Sequence, residues 1–131
     1  MRDITIELRP KTAEIARIAG ALAREQVTLR AGGAHTVGAR LVARFVPSDI
    51  DAARRALDAA SVPFAEHEIV PVLLESRAGE LASISARLAE ADVVIRAIYL
   101  TAMLGNVVQI ALVTDQPAAV IRRVLGLRAG M

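Results

Sequence analysis

The sequence predicts an α+β fold made of two tandem βαββαβ units, each an antiparallel sheet with helices on one face. Three observations predict it. The chain repeats itself at an offset of 66 residues, and each copy shows strand-like and helix-like hydrophobic patterns in the same order. In addition, 54% of the 131 residues are hydrophobic, which is enough for a buried core.

The internal repeat appears when residues 4–31 are aligned with residues 70–97. Nine of these 28 positions are identical, and conservative pairs such as Ile6 with Val72 add to the match. One inserted residue then changes the offset to 67 and aligns Gly38 with Gly105. The repeat predicts a first unit over residues 1–68 and a second over residues 69–131.

The first unit opens with Ile4, Ile6 and Leu8 alternating with polar residues, which predicts a half-buried strand. Residues 9–12 break this pattern. A helix is predicted next, with a buried stripe at helical spacing formed by Ile15, Ile18, Ala19 and Leu22. The unit is completed by a second strand over residues 26–31, a glycine-containing turn, a third strand over residues 39–46, a second helix from Ile50 and a fourth strand over residues 63–68.

The second unit follows the same order, with a strand over residues 69–74 and a helix whose stripe includes Leu81, Ile84 and Leu88. Further strands are predicted over residues 92–99 and 106–113, before a second helix. Residues 127–131 are too few to predict a fourth strand. Thr12 and Ser76 lie near the two first-helix starts, where a hydroxyl can cap free N–H groups.

This order is that of the ferredoxin-like split βαβ unit. The third strand of the second copy is apolar on both sides, so we expect both of its faces to be buried. An unpaired neighbouring strand would be an adhesive edge. We therefore expect the other repeat or a second chain to mask it, which favours a homodimer.

The pattern resembles a tandem ACT-domain protein over nearly the whole chain. Its most specific part is residues 77–82 with Ile84 and Leu88, similar to the Pro-Gly-x-Leu-Ala motif that opens an ACT helix. The resemblance implies a non-catalytic regulatory module that binds a small ligand, usually an amino acid, at the interface between units or in a dimer. It also implies a possible regulated partner enzyme.

The implied ligand-binding residues lie in the loop after the first strand of each unit and at the start of the following helix. They are Lys11, Thr12, Ala13 and Glu14, then Ser76, Arg77, Ala78, Gly79, Glu80 and Leu81, with Tyr99 and Thr101 as supplementary contacts. A helix N-terminus attracts a carboxylate, Arg77 or Lys11 could hold it, and Glu80 or Glu14 could receive an ammonium group. A structural reading also fits, with glutamate favoured by the helix dipole and Gly79 shaping a turn.

An alternative function follows from two departures from the ACT pattern. Ala78 replaces the motif proline, and the first copy has Thr12 and Ala13 where Pro-Gly would stand. The second strands also lack the family's asparagine. These departures place the expected site in the second copy, and they favour, as the alternative, an interaction or dimerisation module that has lost its ligand.

Composition argues against other classes. The absence of cysteine excludes disulfides and thiolate sites, and we expect no metal or cofactor. A net charge of +2 without a basic block, and 2% aromatic residues, argue against nucleic-acid binding. Apolar runs are too short to span a membrane, and the N-terminus enters a strand pattern at once, so we expect a cytoplasmic protein.

No catalytic constellation is recognised. Ser48, His35 and Asp49 could be assembled as a triad on paper, but no nucleophile-elbow motif is present and His35 is expected in a turn. His67, between Glu66 and Glu68, is expected to pair with carboxylates at a sheet edge. We therefore do not expect an enzyme, although a small enzyme of ferredoxin-like shape is a third hypothesis.

Overall fold

The computed structural model describes residues 1–127, which divide into two compact units. The N-terminal unit comprises Arg2–His67. The C-terminal unit comprises the described residues from Glu68 onward, together with Met1.

The N-terminal unit contains the βαββαβ order that the sequence predicts. Its elements are β1 (Arg2–Leu8), α1 (Thr12–Arg24), β2 (Leu29–Val37), β3 (Arg40–Pro47), α2 (Ile50–Ala59) and β4 (Ala65–Glu68). The strands form one sheet in the order β2-β3-β1-β4, in which β3 is antiparallel to both β1 and β2. The edge strands are therefore β2 and β4.

The C-terminal unit repeats this order up to its second helix. Its elements are β5 (Val70–Glu75), α3 (Glu80–Glu90), β6 (Ile95–Leu104), β7 (Val107–Thr114) and α4 (Ala118–Leu125). Its described strands form an antiparallel sheet in the order β5-β7-β6. The question of a fourth strand over residues 127–131 falls almost wholly outside the described residues.

Each unit has its own core between one sheet face and its two helices. In the N-terminal unit, sheet residues Ile4, Ile6 and Phe45 pack with helix residues that include Leu22 and Leu57. In the C-terminal unit the corresponding cluster includes Val72, Ile84, Leu88, Leu112 and Ile121. Helices on one face of each sheet are therefore confirmed. The second face of β7 is also buried, since Ala111 and Val113 are as inaccessible as Ile110 and Leu112.

The second strand of each unit is longer than predicted and ends later. β2 runs through Gly32 and Gly33 to Val37, so the prediction of His35 in a turn is wrong: His35 lies opposite Val42 in the sheet. β6 likewise continues to Leu104. Local propensity argues against a strand through two glycines, but antiparallel pairing with the next strand satisfies the backbone and extends the hairpin.

Helix capping differs from the expectation for Thr12 and Ser76. The N-caps of α1 and α3 are Lys11 and Gly79, and neither makes a side-chain capping bond. Thr12 is already the first helical residue, whereas the Ser76 backbone N–H donates to Asn106 O at 2.7 Å. Hydroxyl capping fails because both residues lie one or more positions away from the point where the helix begins.

Backbone geometry repeats between the units at the aligned positions. Gln26 and Asp92, 66 residues apart, both have positive φ after the first helix, at 57° and 61°. Thr28 N–H donates to Ser48 Oγ at 3.0 Å, and Val94 N–H donates to Asp115 Oδ1 at 2.9 Å. The duplication therefore extends to the hydrogen bonds that start the second strand.

Glu66 on β4 connects that edge strand to α2 and β1. The Arg54 guanidinium donates two hydrogen bonds to its carboxylate, at 2.6 and 2.7 Å, and Arg2 Nε donates a third at 3.1 Å. The Arg54 hydrogen bonds are the largest cause that lowers the pKa of Glu66 from 4.5 to about 2. A bidentate arginine–carboxylate pair is among the stronger polar contacts a protein makes.

We expect Glu66→Gln to lower the free energy of unfolding by about 1–2 kcal/mol near neutral pH, allowing for solvent screening. Because folding depresses the Glu66 pKa, this contribution is present above pH 4.5 and is lost as the pH falls through 2. Urea unfolding of both proteins across this range should therefore show a shrinking difference. Asp51→Asn, which removes an exposed Arg54 partner, is the control and should change stability by less than about 0.5 kcal/mol. A pH-independent difference would contradict the assignment.

Candidate functional site

The predicted ligand loop of the C-terminal unit joins β5 to α3. Gly79 ends this loop in a left-handed conformation, with φ 91° and ψ −14°. Within the described part of the chain, a Cβ at Gly79 would meet no atom within 4 Å, and no side chain caps the helix that follows. By contrast, α2 begins under the Asp49 carboxylate, which accepts from Asp51 N–H at 3.0 Å and Ala52 N–H at 3.1 Å. The first turn of α3 therefore has no carboxylate in the place that Asp49 occupies at α2.

Arg77 and Glu80, the charged residues of this loop, pair with each other. Arg77 Nη2 donates to Glu80 Oε1 at 2.6 Å, and Arg77 Nε lies 2.9 Å from Glu75 Oε2. The hydrogen bond to Glu80 is the largest cause that raises the pKa of Arg77. The two side chains implied for the carboxylate and the ammonium group of an amino acid, Arg77 and Glu80, thus form one exposed ion pair. A bound amino acid would have to break this pair and offer its own charged groups to the two side chains.

The other predicted residues of this unit divide between the loop and β6. Ala78 and Leu81 flank Gly79 and Glu80, and the Leu81 side chain is half exposed. Tyr99 lies opposite Ala111 and is partly buried. Thr101 occupies a bulge of β6, where its hydroxyl donates to Gln109 Oε1 at 2.8 Å. Its hydroxyl proton is therefore engaged within the hairpin.

The corresponding residues of the N-terminal unit lie together at the start of α1. Lys11 is the N-cap, and Thr12, Ala13 and Glu14 form the first turn. The Glu14 carboxylate accepts from Arg17 Nη2 at 3.0 Å, one turn further along the helix. This start resembles that of α3 in having no side-chain cap, but its N-cap has extended backbone instead of the left-handed glycine.

An apolar groove in the N-terminal unit was not predicted. It encloses about 430 Å³ between α1 and the β2–β3 hairpin. Its floor includes Ile18, Leu22 and Phe45, which are buried, whereas Ile15 and Leu29 at its rim are 45% and 58% exposed.

The expectation that Ile15 and Leu81 belong to buried stripes is therefore wrong. Ile15 and Leu81 each open the stripe of their helix, yet 45% and 50% of their surfaces remain in solvent, and Ala19 in the α1 stripe is exposed as well.

Gly32 lets β2 approach β3 closely at the wall of this groove. Its φ is 145°, and a Cβ there would lie 2.4 Å from Arg44 O and 2.7 Å from Phe45 Cα. Gly33, the next residue, has open space at the Cβ position and no positive φ. Two adjacent glycines thus have different roles, which the sequence does not distinguish.

We expect Gly32→Ala to lower the free energy of unfolding by about 1–3 kcal/mol, because the new methyl group forces β2 away from β3 and strains the backbone. Gly33→Ala is the matched control and should change stability by no more than about 1 kcal/mol in either direction. Guanidinium unfolding measures both. Equal effects would show that the close approach at Gly32 does not constrain the hairpin.

The residues considered for catalysis have structural contacts. Ser48 Oγ and the Asp49 carboxylate accept the backbone hydrogen bonds already described. His67 Nδ1 lies 3.3 Å from Oδ1 of Asp3, a fully buried carboxylate. The predicted contact between His67 and a carboxylate is therefore confirmed, but the partner is Asp3 and not the adjacent Glu66 or Glu68. Within residues 1–127, no cluster of three or more potential metal ligands occurs. Over the same residues, no helix has the length and apolarity to cross a membrane.

No protein-family model and no curated protein matches this sequence, but solved structures resemble the fold closely. Protein BT0572 from Bacteroides thetaiotaomicron has a TM-score of 0.83 at 22% identity, over 95% of this chain and 85% of that one. The ligand-free regulatory subunit of aspartate kinase from Thermus thermophilus has a TM-score of 0.68 at 16% identity, over 95% and 87% of the two chains. A structure of aspartokinase alpha and beta subunits gives 0.62 at 16% identity, over 96% and 93%.

At these identities the likeness establishes the fold. The two βαββαβ-like units of this chain match the fold of these neighbours, and this is the fold that the sequence resemblance implied.

Proposed function

We propose that this protein is a non-catalytic regulatory module that binds an amino acid at the start of α3 and acts as a homodimer, with a regulated enzyme as its partner. The observation that carries the proposal is the uncapped first turn of α3 behind Gly79. Its open approach suits a carboxylate, as do the N–H groups of Leu81 and Ala82, which have no acceptor among the described residues; the Glu80 N–H already donates to Arg77 O at 3.4 Å. The fold likeness to a regulatory subunit of aspartate kinase supports the regulatory role.

The charged groups of the loop supply the remaining recognition. A bound zwitterion would take its carboxylate to the α3 amides and Arg77, and its ammonium group to Glu80. The present Arg77–Glu80 pair would then be replaced by two pairs of the same kind, so no buried charge is left uncompensated. Ser76, Ala78 and Leu81 shape the loop, and Tyr99 and Thr101 remain proposed supplementary contacts. Lys11, Thr12, Ala13 and Glu14 form the less well-suited copy of the site, because their N-cap lacks the glycine.

A thermal-shift screen with the twenty amino acids tests this site. A ligand at one hundred times its dissociation constant should add about 2.7 kcal/mol of stability. We expect Gly79→Val to abolish that gain by blocking the approach to α3. Gly38→Val is the matched control, since Gly38 also has positive φ and open space at Cβ, and should keep the gain. Equal retention by both variants would move the site away from Gly79.

An interaction module without a ligand is the second candidate function. It is favoured by the two ion pairs that Arg77 makes with Glu75 and Glu80, because these pairs neutralise the Arg77 charge. On this hypothesis the ion pair replaces the ligand and holds the loop. The absence of any stabilisation by the twenty amino acids would favour it over the first proposal.

The proposed homodimer rests on the β6 edge. β6 is a ten-residue edge strand whose Leu100, Met103 and Leu104 side chains are each more than half exposed. Long apolar edges associate with other chains unless they are covered. On the other side of the sheet, β5 is the outer strand among the described residues, with six residues and one exposed large apolar side chain, Leu73.

Sedimentation velocity tests this interface. We expect the wild-type protein to sediment as a dimer and Leu100→Lys to shift it towards the monomer, because a charge would be buried at the contact. Leu73→Lys changes a comparably exposed leucine on the other edge and should leave the dimer intact. A monomeric wild-type protein, or equal dissociation by both variants, would contradict the β6 interface.

A further inference from the structure

The groove of the N-terminal unit has the composition of a small-molecule site. Its volume of about 430 Å³ falls within the range of roughly 300–1,000 Å³ that such sites occupy. Its walls are aliphatic side chains, alanines, glycines and Phe45, with Arg30 and Arg44 as the charged residues. Among residues 1–127, no aspartate, glutamate, asparagine or glutamine lines it.

Of the two arginines, Arg30 has the exposed guanidinium that is available for a ligand, whereas Arg44 is held at two of its three nitrogens and its Nη1 is buried without a partner among the described residues. Arg44 Nε donates to Thr5 Oγ1 at 2.9 Å and lies 3.5 Å from the buried Asp3 carboxylate. Arg30 is exposed, and within residues 1–127 its guanidinium makes no hydrogen bond or ion pair. An unpaired arginine beside an apolar cavity is suited to a carboxylate, which it can bind through two parallel hydrogen bonds.

A β-bulge places Arg30 at this wall. Leu29 pairs with Pro47 and Ala31 with Val46, so Arg30 is the extra residue between two consecutive pairs. Bulges interrupt the alternation of a strand and redirect side chains, often next to binding sites. Both Leu29 and Arg30 therefore border the same groove.

The lining also constrains the rest of the ligand. The buried floor formed by Ile18, Leu22 and Phe45 suits a branched hydrocarbon chain. An ammonium group entering the groove would lose water without meeting a carboxylate side chain, which is unfavourable. The composition therefore discriminates against a zwitterionic amino acid and for an acid without the amino group.

We propose that this groove binds a small branched aliphatic carboxylate that lacks an α-ammonium group, with the carboxylate on Arg30 and the hydrocarbon chain against α1. This inference goes beyond the proposed function, because it assigns a ligand of another class to another unit. It does not depend on the site at α3.

Isothermal titration calorimetry of the full chain with 4-methylpentanoate tests the proposal. Leucine has the same carbon skeleton with an added ammonium group, and acetate has the carboxylate without the branched chain. We expect 4-methylpentanoate to bind at least about tenfold more tightly than either at this groove. Absence of 4-methylpentanoate binding would overturn the proposal, and equal binding of acetate would reduce the site to general anion attraction.

Matched variants locate the binding. Arg30→Gln should weaken 4-methylpentanoate binding about tenfold or more, whereas Arg96→Gln, at the equivalent bulge of β6, should leave it unchanged. Ile15→Ser should also weaken it, and Leu81→Ser, at the aligned position of α3, should not. Equal effects within either pair would overturn the assignment. Any amino-acid response that depends on Gly79 should persist in Arg30→Gln, so the two sites can fail independently.

Discussion

In the N-terminal unit, two helices, each with one apolar stripe, cover one face of the sheet but leave the edge strand β2 uncovered. The helices pack over β1 and β3, and no residue of β2 belongs to the core cluster of this fully described segment. The apolar residues that face this uncovered strip, Ile15 on the helix and Leu29 on the strand, therefore stay exposed. The groove is a direct result of this geometry. The C-terminal unit shares the exposed helix position, because Leu81 corresponds to Ile15, whereas Ile95 of β6, the counterpart of Leu29, is partly buried against the core.

The two units share features of backbone conformation but differ in the residues at the starts of their first helices. The positive-φ residues after the first helix, the hairpin glycines Gly38 and Gly105, and the bulges at Arg30 and Arg96 occur at aligned positions. The helix starts differ, since α1 follows an extended lysine whereas α3 follows a left-handed glycine. A duplicated scaffold thus presents two loops of similar course with different access to the helix N-terminus. This difference, and not the fold, separates the better candidate ligand loop from the poorer one.

The arginine side chains also divide into those that have a carboxylate partner within the protein and those that are available to a ligand. Arginine is the principal cation of the chain, and several of its side chains have carboxylate partners: Arg54 and Arg2 on Glu66, Arg17 on Glu14, and Arg77 on Glu75 and Glu80. Glu66 is the least exposed carboxylate of these sets, and its strongly lowered pKa marks the contact that anchors β4. Arg30 differs because it borders an apolar cavity without a described partner. Free cationic donors next to apolar surface are the combination that small carboxylates recognise.

The sequence by itself determined the duplication, the order of the elements and most of the core, because strand alternation and helical spacing are local patterns that report which side of an element is buried. Ile4, Ile6, Leu22, Leu57, Ile84 and Leu88 are buried as those patterns predicted. The similarity of residues 77–82 to the ACT helix motif also pointed to the loop that contains Gly79. Only the tertiary structure decided where β2 and β6 end, which residues cap α1 and α3, and that Ile15 and Leu81 remain exposed. Each of these depends on contacts between segments that are distant in the sequence, such as the hairpin strand that extends a glycine-rich segment, or helices that pack over β1 and β3 and leave the outer strand uncovered. The groove and the unpaired Arg30 belong to the same class, since a cavity exists only once separate elements have packed around it.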